Sequence, residues 1–285
     1  MRGEETTIQL STAAQLYIRP GPAIQFGVDS RRAGIFDALT AATINTVTLA
    51  LLTARNPVPL RTITAGLTAA GLSEAGVHSL IEDLLHYRIL CKIPPRPAVA
   101  IIGNGPLEQR ITSLLQQRRI NVRQPIPGED LESFFTRIDA QGTTPVITIQ
   151  QPSNIAEHLS KYARTWLPIS IVDGRGQLGP FHIDNVGPCP MCLDLHRTDI
   201  DPSWYILDPW ETPPPPDQIT LMATAARAAA CIHTLLDYSV EPPGCPPLRL
   251  QPGEMQEINP YGDVIHRWLI EPHPSCPVCW DMGKL

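Results

Sequence analysis

Residues Ala98–Pro106 read AVAIIGNGP: an apolar run, a Gly-Asn-Gly turn, and a proline at which a helix opens. A buried strand that runs straight into such a turn is the first step of an α/β fold. Proline fits the first helical position, and glycine supplies backbone conformations that other residues avoid. Downstream the pattern repeats. A helix to about Arg119 leads to a short strand at Ile120–Arg123. A helix at roughly 129–139, a strand at Pro145–Gln150, a helix at 153–164 and a strand at Leu167–Val172 follow. Strands alternating with helices predict a parallel sheet with right-handed crossovers. Gln177–Ile183 reads as further strand, 217–238 as a helix, and 263–270 as a last strand.

Two Cys-x-x-Cys pairs lie in this half, Cys189-Pro-Met-Cys192 and Cys276-Pro-Val-Cys279. A two-residue gap lets both thiolates of a turn reach one ion at about 2.3 Å, and two such pairs complete a tetrahedron. With four protein ligands no position stays open, so the pattern points to a structural zinc ion rather than a catalytic one. Cys91, Cys231 and Cys245 belong to no motif, and Cys91 and Cys231 stand in apolar surroundings as core residues. The turn Gly103-Asn104-Gly105 lies where backbone amides at a helix start hold phosphates, but Glu108 stands where a third glycine is wanted. A nucleotide turn at Gly103 and Gly105 and a purely structural turn both stay open.

Upstream, Leu16–Arg19 and Ala23–Val28 are β-like runs joined by Pro20-Gly21-Pro22, a hairpin signal. Helical stretches follow at Asp37–Arg55, at Leu60–Ala70 before Gly71, and from a cap at Ser73 to about Leu90. A hairpin followed by three helices fits a winged-helix domain over residues 16–95, after a tail at 1–15. Pro94-Pro95-Arg96-Pro97 marks the boundary to an α/β domain over 96–285. The third helix carries a broad apolar stripe: Val77, Leu80, Ile81, Leu84 and Leu85. Ala23, Ile24, Gln25 and Phe26 alternate, so one set of side chains faces a core while the backbone edge stays available for a peptide strand. Part of the stripe, at Val77, Leu80 and Leu84, then lines the groove beside it. The competing reading makes the stripe all core and covers the strand edge with residues 7–10.

Charge narrows the partners. Residues 1–97 hold 9 Lys+Arg against 7 Asp+Glu and residues 98–285 hold 13 against 21, so neither half is basic enough for nucleic acid. No apolar run reaches the roughly 20 residues that span a bilayer, and the opening MRGEETTIQLST lacks the apolar core of a signal peptide. The expected compartment is the cytoplasm, where seven cysteines favour metal or free thiols over disulfides. His196, Arg197, Asp199 and Asp201 form either a polar site or a loop of local caps. Asp173-Gly174 reads as a turn, and His266 and Trp268 read as packing.

Residues 98–279 resemble the ThiF-type, ubiquitin-activating-enzyme-like fold, a Rossmann-like α/β architecture. The resemblance rests on Val99–Gly105, on PVITIQQPSN at Pro145–Asn154, on LPISIVDGRGQLGPFHIDNVGPCPMC at Leu167–Cys192, and on the terminal CPVC. The stretch Cys192–Trp204, CLDLHRTDIDPSW, resembles a subgroup that accompanies ribosomal-peptide modification systems, the leader-peptide-binding or cyclodehydratase partner proteins. The first 80 residues resemble the PqqD-type winged helix, the peptide recognition element. These resemblances imply a leader peptide added as a strand beside the third helix, a partner modification enzyme, and a chain that forms homodimers in related proteins.

The sequence departs from the adenylating members of that family. They carry an acidic residue after the second strand, an Asn-Leu-x-Arg-Gln segment, a lysine, and an aspartate for magnesium after the third strand. Here the second strand runs into Gln124-Pro125-Ile126, and the third into Gln150 and Gln151. A neutral amide is a poor magnesium ligand, so ATP and magnesium are not expected. The expectation is a non-catalytic peptide-binding protein. An ATP-dependent enzyme activating a carboxylate, and a winged-helix transcription factor, are the alternatives.

Overall fold

Pro20-Gly21-Pro22 turns the chain back on itself, with Gly21 at φ 94°, and sets β2 (Leu16–Arg19) against β3 (Ala23–Phe26) in the register Arg19↔Ala23. The structure is a computed structural model that describes residues 6–37, 39–95, 97–139, 141–206, 214–238, 241–262 and 265–283, Tyr205 by its backbone alone. Arg96 of the proline boundary and the start of the expected strand at 263 lie outside those residues. The chain divides into two compact units: the residues up to Pro95 with Asp237–Leu248, and Arg96–Leu236 with Arg249–Leu285.

The first unit contains β1 (Thr7–Leu10), β2, β3, β4 (Gly34–Phe36), α1 (Ile44–Leu52), β5 (Val58–Pro59), α2 (Leu60–Ala69), α3 (Glu74–His86) and β6 (Leu90–Ile93). Two small antiparallel sheets result, β5-β1-β6 and β2-β3-β4. Ile8, Ile24, Val47, Ile63, Leu67 and Leu90 are fully buried in one core, each worth about 1.5–3 kcal/mol on burial. The helix expected from Asp37 begins only at Ile44. Thr40 and Thr43 exchange side-chain and backbone hydrogen bonds over that stretch and offer the backbone an alternative to the helix. Ser73 caps α3, accepting a hydrogen bond from Gly76 N at 3.2 Å.

The second unit contains β7 (Ala98–Ile102), α4 (Pro106–Gln117), β8 (Asn121–Arg123), α5 (Leu131–Ile138), β9 (Val146–Ile149), α6 (Ala156–Tyr162), β10 (Trp166–Val172) and β11 (Arg175–Leu178). After these come α7 (Pro190–Ile200), α8 (Gln218–Leu235), β12 (Glu254–Ile258), β13 (His266–Leu269) and α9 (Pro277–Asp281). Its sheet has the order β13-β12-β11-β10-β9-β7-β8. The expected parallel sheet is half of it. β8, β7, β9 and β10 run parallel, while β11, β12 and β13 are antiparallel. Asp173 and Gly174 reverse the chain between β10 and β11 with φ of 48° and 73°, the doubly left-handed turn that suits a two-residue hairpin. β12 stands between the expected helix at 217–238 and the expected last strand at 263–270, a stretch whose sequence reads as a loop. Its Glu254 and Gln256 are buried because Arg227 donates to Gln256 at 2.7 Å and Gln256 donates to Glu254 at 2.7 Å.

Candidate functional site

Cys189 caps α7 and Cys276 caps α9, each followed by a proline at the first helical position. The expected turns are thus helix starts. Cys189, Cys192, Cys276 and Cys279 converge and are all fully buried. Sulfur separations are 3.8 Å for Cys189–Cys192, 3.5 Å for Cys189–Cys276 and 3.4 Å for Cys192–Cys279. A tetrahedral ion with sulfur ligands at about 2.3 Å holds its sulfurs about 3.8 Å apart, so the cluster fits a metal ion such as zinc with little movement. Electrostatics point the same way. Hydrogen bonds from Cys189 and Cys192 pull the Cys279 thiol down to about 4, whereas hydrogen bonds to Cys192 and Cys279 push Cys189 up. Closely spaced buried thiolates need a counter-charge, and a bound dication supplies it.

The surroundings hold this cluster in place. His273 N donates to Cys192 Sγ at 3.3 Å, and Cys276 N donates to His273 O at 2.9 Å. The His273 ring is fixed from both ends. Ser275 N donates to Nδ1 at 3.0 Å, which puts the ring proton on Nε2, 2.8 Å from an Asp199 carboxylate oxygen. His196, Asp199 and His273 also lie close enough for a second metal. A lone pair on Nε2 would leave Nδ1–H facing the Ser275 amide, so this trio is a hydrogen-bonded clamp rather than a metal site. Of the four polar residues after the first knuckle, His196 and Asp199 meet at His273, and Arg197 and Asp201 point elsewhere. His196 reaches Glu271 O, Arg197 reaches Gln177 and Asp194 over the Trp204 ring, and Asp201 caps Ser203.

The glycine turn lies at the topological switch of the parallel strands. β8 and β9 flank β7 on opposite sides, and the crevice beyond the C-terminal ends of β7 and β9 is where open α/β sheets take ligands. Gly103 has φ 141°, and a Cβ there would stand 2.5 Å from Ile149 O and 2.9 Å from Ile149 Cβ. Its lack of a side chain lets the turn lie against the end of β9. Gly105 caps α4 at φ 97° and faces open space. Glu108 is buried in the first turn of α4 and accepts from Thr112 at 2.7 Å and from Gln124, just past β8, at 2.6 Å. This carboxylate already complements the helix start that a phosphate would use. The Gln150–Asn154 segment across the crevice carries no carboxylate.

In the first unit, Ala23–Phe26 does not offer an edge. β3 is the middle strand, paired with β2 on one side and β4 on the other. Nor does Thr7–Leu10 cover it, since β1 pairs with β5 and β6 instead. Ile24 and Val77 are core, and Gln25 hydrogen-bonds Arg19 and Gly27. A groove of about 460 Å³ lies one strand further out, between β4 and α3. Phe26, Leu80 and Leu84, all expected at a peptide site, line it. Gly34, Ile35 and Phe36, Arg31 and Arg32 on the preceding loop, and Pro243 and Gly244 were not legible as site residues. A Gly-Ile-Phe run is too short for a strand signal, and the last two come from a segment about 150 residues away, tied in by Gly244 N donating to Tyr87 O at 3.1 Å and by Arg88 donating to Cys245 O at 2.8 Å.

No family model matches the chain, and no curated protein matches it. Among solved structures it is similar to a heterocyclase in complex with substrate and cofactor, at 15% identity and TM-score 0.57, over 96% of this chain and 39% of that chain. It is similar to the heterocyclase TruD at 14% identity and TM-score 0.55, over 96% of this chain and 43% of that chain. It is also similar to E. coli MccB with MccA-N7isoASN, at 14% identity and TM-score 0.51, over 96% of this chain and 99% of that chain. The chain therefore spans about two fifths of the length of the heterocyclases, and its fold is ThiF/MccB-like. No helix among the described residues is long and apolar enough to cross a membrane.

Proposed function

We propose that this protein binds a leader-type peptide and presents it to a partner modification enzyme in peptide or natural-product biosynthesis, without adenylating chemistry of its own. The first unit acts as a winged-helix peptide recognition element, and zinc on the four cysteines holds the ThiF-like unit together. The observation that carries the reading is the groove between β4 and α3. β4 pairs only with β3 among the described residues, so its outer edge offers main-chain donors and acceptors beside an apolar helix face. That combination suits β-augmentation, in which backbone hydrogen bonds supply affinity and side-chain pockets supply selection. The heterocyclase solved with substrate and MccB solved with MccA-N7isoASN, both of this fold, support a role in peptide modification.

The glycine turn argues for a binding role over an adenylating one. Its first glycine is used for packing on Ile149, and Glu108, held by Thr112 and Gln124, puts a negative charge in the first turn of the helix that a phosphate would approach. The Gln150–Asn154 segment offers magnesium only neutral amides and a hydroxyl, and the carboxylate that lines the same crevice, Asp194, is paired with Arg197 at 3.3 Å. The test uses the full chain and the short peptides encoded beside its gene. Calorimetry is expected to find one that binds, and Leu84→Asp is expected to remove that binding. Pyrophosphate exchange with ATP and magnesium is expected to stay at background. Exchange above background that disappears in Gly105→Ala would establish the adenylating alternative.

A further inference from the structure

The groove has a polarity that its apolar floor conceals. Phe26, Ile35, Phe36, Leu80, Leu84 and Ile89 form the floor and walls. At the loop before β4 stand two cations, Arg31 and Arg32, both exposed. Among the described residues neither guanidinium has a hydrogen bond or ion pair; the contact Arg31 makes to Asp29 is through its backbone N–H at 3.0 Å. The facing helix contributes one carboxylate, Asp83. Arg88, which follows the lining residue Tyr87, is paired with Glu241 at 3.6 Å. Asp29, whose carboxylate accepts from the Arg31 backbone N–H, stands in the same loop, so what the strand side of the groove itself presents is two guanidinium groups, and the helix side presents one carboxylate.

We propose, resting on the peptide reading above, that the groove selects an extended segment in which a bulky aliphatic or aromatic residue lies next to an acidic one. The apolar side chain fills the space between Phe36 and Leu84, and the acid meets Arg31 and Arg32. Successive side chains of an extended strand point to opposite faces, so a segment laid along β4 presents the two groups to different walls at once. Asp83 on the opposite wall repels the same acid and fixes which way round the segment lies. A basic segment meets the reverse arrangement, with two arginines against it on the strand side. Pro243 and Gly244 form one wall, so the selecting surface is complete only in the full chain.

The experiment displays a random library of twelve-residue peptides against the full chain and measures selected peptides by fluorescence anisotropy. Enriched sequences are expected to share the apolar–acidic pair. Replacing the acid by its amide, or introducing Arg31→Glu with Arg32→Glu, is expected to weaken binding roughly five- to tenfold, the weight of a few partly exposed ion pairs. Exchanging the acid for lysine is expected to restore binding to the Arg31→Glu, Arg32→Glu variant. Both arginines are exposed loop residues, so the double variant keeps its fold, checked by circular dichroism. Enriched peptides that need Leu84 but bind equally well with acid or amide overturn the charge proposal and leave the groove reading intact. A library that yields no peptide dependent on Leu84 overturns both.

Discussion

Replacing Gly103 by alanine tests whether the glycine turn is there for packing or for a phosphate. The added Cβ would stand 2.5 Å from Ile149 O, where ordinary contact needs roughly 1 Å more. Ile149 cannot retreat easily. β9 is paired with β7 on one side and β10 on the other, and Gln150 N donates to Ile169 O at 2.8 Å just beyond it. Forcing an atom into a closed site costs about 1–3 kcal/mol, and holding alanine at φ 141° adds of order 1–3 kcal/mol. A total of about 3 kcal/mol is expected. Gly105 is the internal control. It also needs positive φ, at 97°, but nothing lies within 4 Å of its added Cβ. Gly105→Ala therefore carries only the backbone cost, without the packing clash, and is expected to lose less stability than Gly103→Ala. All 5 tryptophans lie between residues 166 and 280 and outside 237–248, so tryptophan fluorescence in urea reports on the second unit alone. If the two variants lose stability within about 0.5 kcal/mol of each other, close packing against Ile149 is not what Gly103 is for.

The remaining predictions concern the metal, a carboxylate and the middle strand. Elemental measurement should find about one zinc per chain, and Cys276→Ser or chelation should unfold the second unit, because metal binding and folding are one equilibrium at such sites. Metal-free protein with an unchanged urea midpoint counts against this. Asp139 is partly buried, which raises its pKa, but hydrogen bonds from Thr143, Thr144 and Gln141 outweigh burial and hold it at about 2 against an ordinary 3.8. A depressed carboxylate stabilises the fold above its unfolded value, here by at most about 2 kcal/mol, and that contribution is lost as pH falls from about 4 through 2. Asp139→Asn should therefore be less stable than wild type at pH 6, with the gap closing between pH 4 and 2; a gap that does not change with pH refutes the assignment. Gln25→Pro would be mild if that strand were an edge. Because β3 is paired on both sides, proline removes a ladder bond, and a loss of about 3 kcal/mol in the first unit is expected by hydrogen exchange.

Local patterns announced much of this molecule. The Pro20-Gly21-Pro22 hairpin, the cap at Ser73, and the run into Gly103 are signals carried by neighbouring residues, and the structure places strands and helices there. The cysteine spacing picked out four candidate ligands, in two pairs 87 residues apart, that the fold brings together. Two-residue gaps fix the geometry within each pair, and only one partner pair was available to complete a tetrahedron. The chemistry of Gln150 and Gln151 was likewise legible, because charge belongs to residue type and not to placement.

What the sequence left open depended on contacts between distant segments. β12 looked like a loop because Glu254 and Gln256 are polar; only Arg227 and Arg267, brought alongside by the fold, make their burial affordable. The edge strand of the first unit could not be told from its middle strand, since alternation describes faces and says nothing of which edge is covered. β4, with its short Gly-Ile-Phe run, took the edge and moved the groove one strand outward. Pro243 and Gly244 joined that groove from far along the chain, tied by hydrogen bonds to Tyr87 and Arg88. Residue types alone say which positions can bind metal, break helices or carry charge. Tertiary structure alone decided which of them meet, because burial and edge exposure are properties of neighbours that lie far away along the chain.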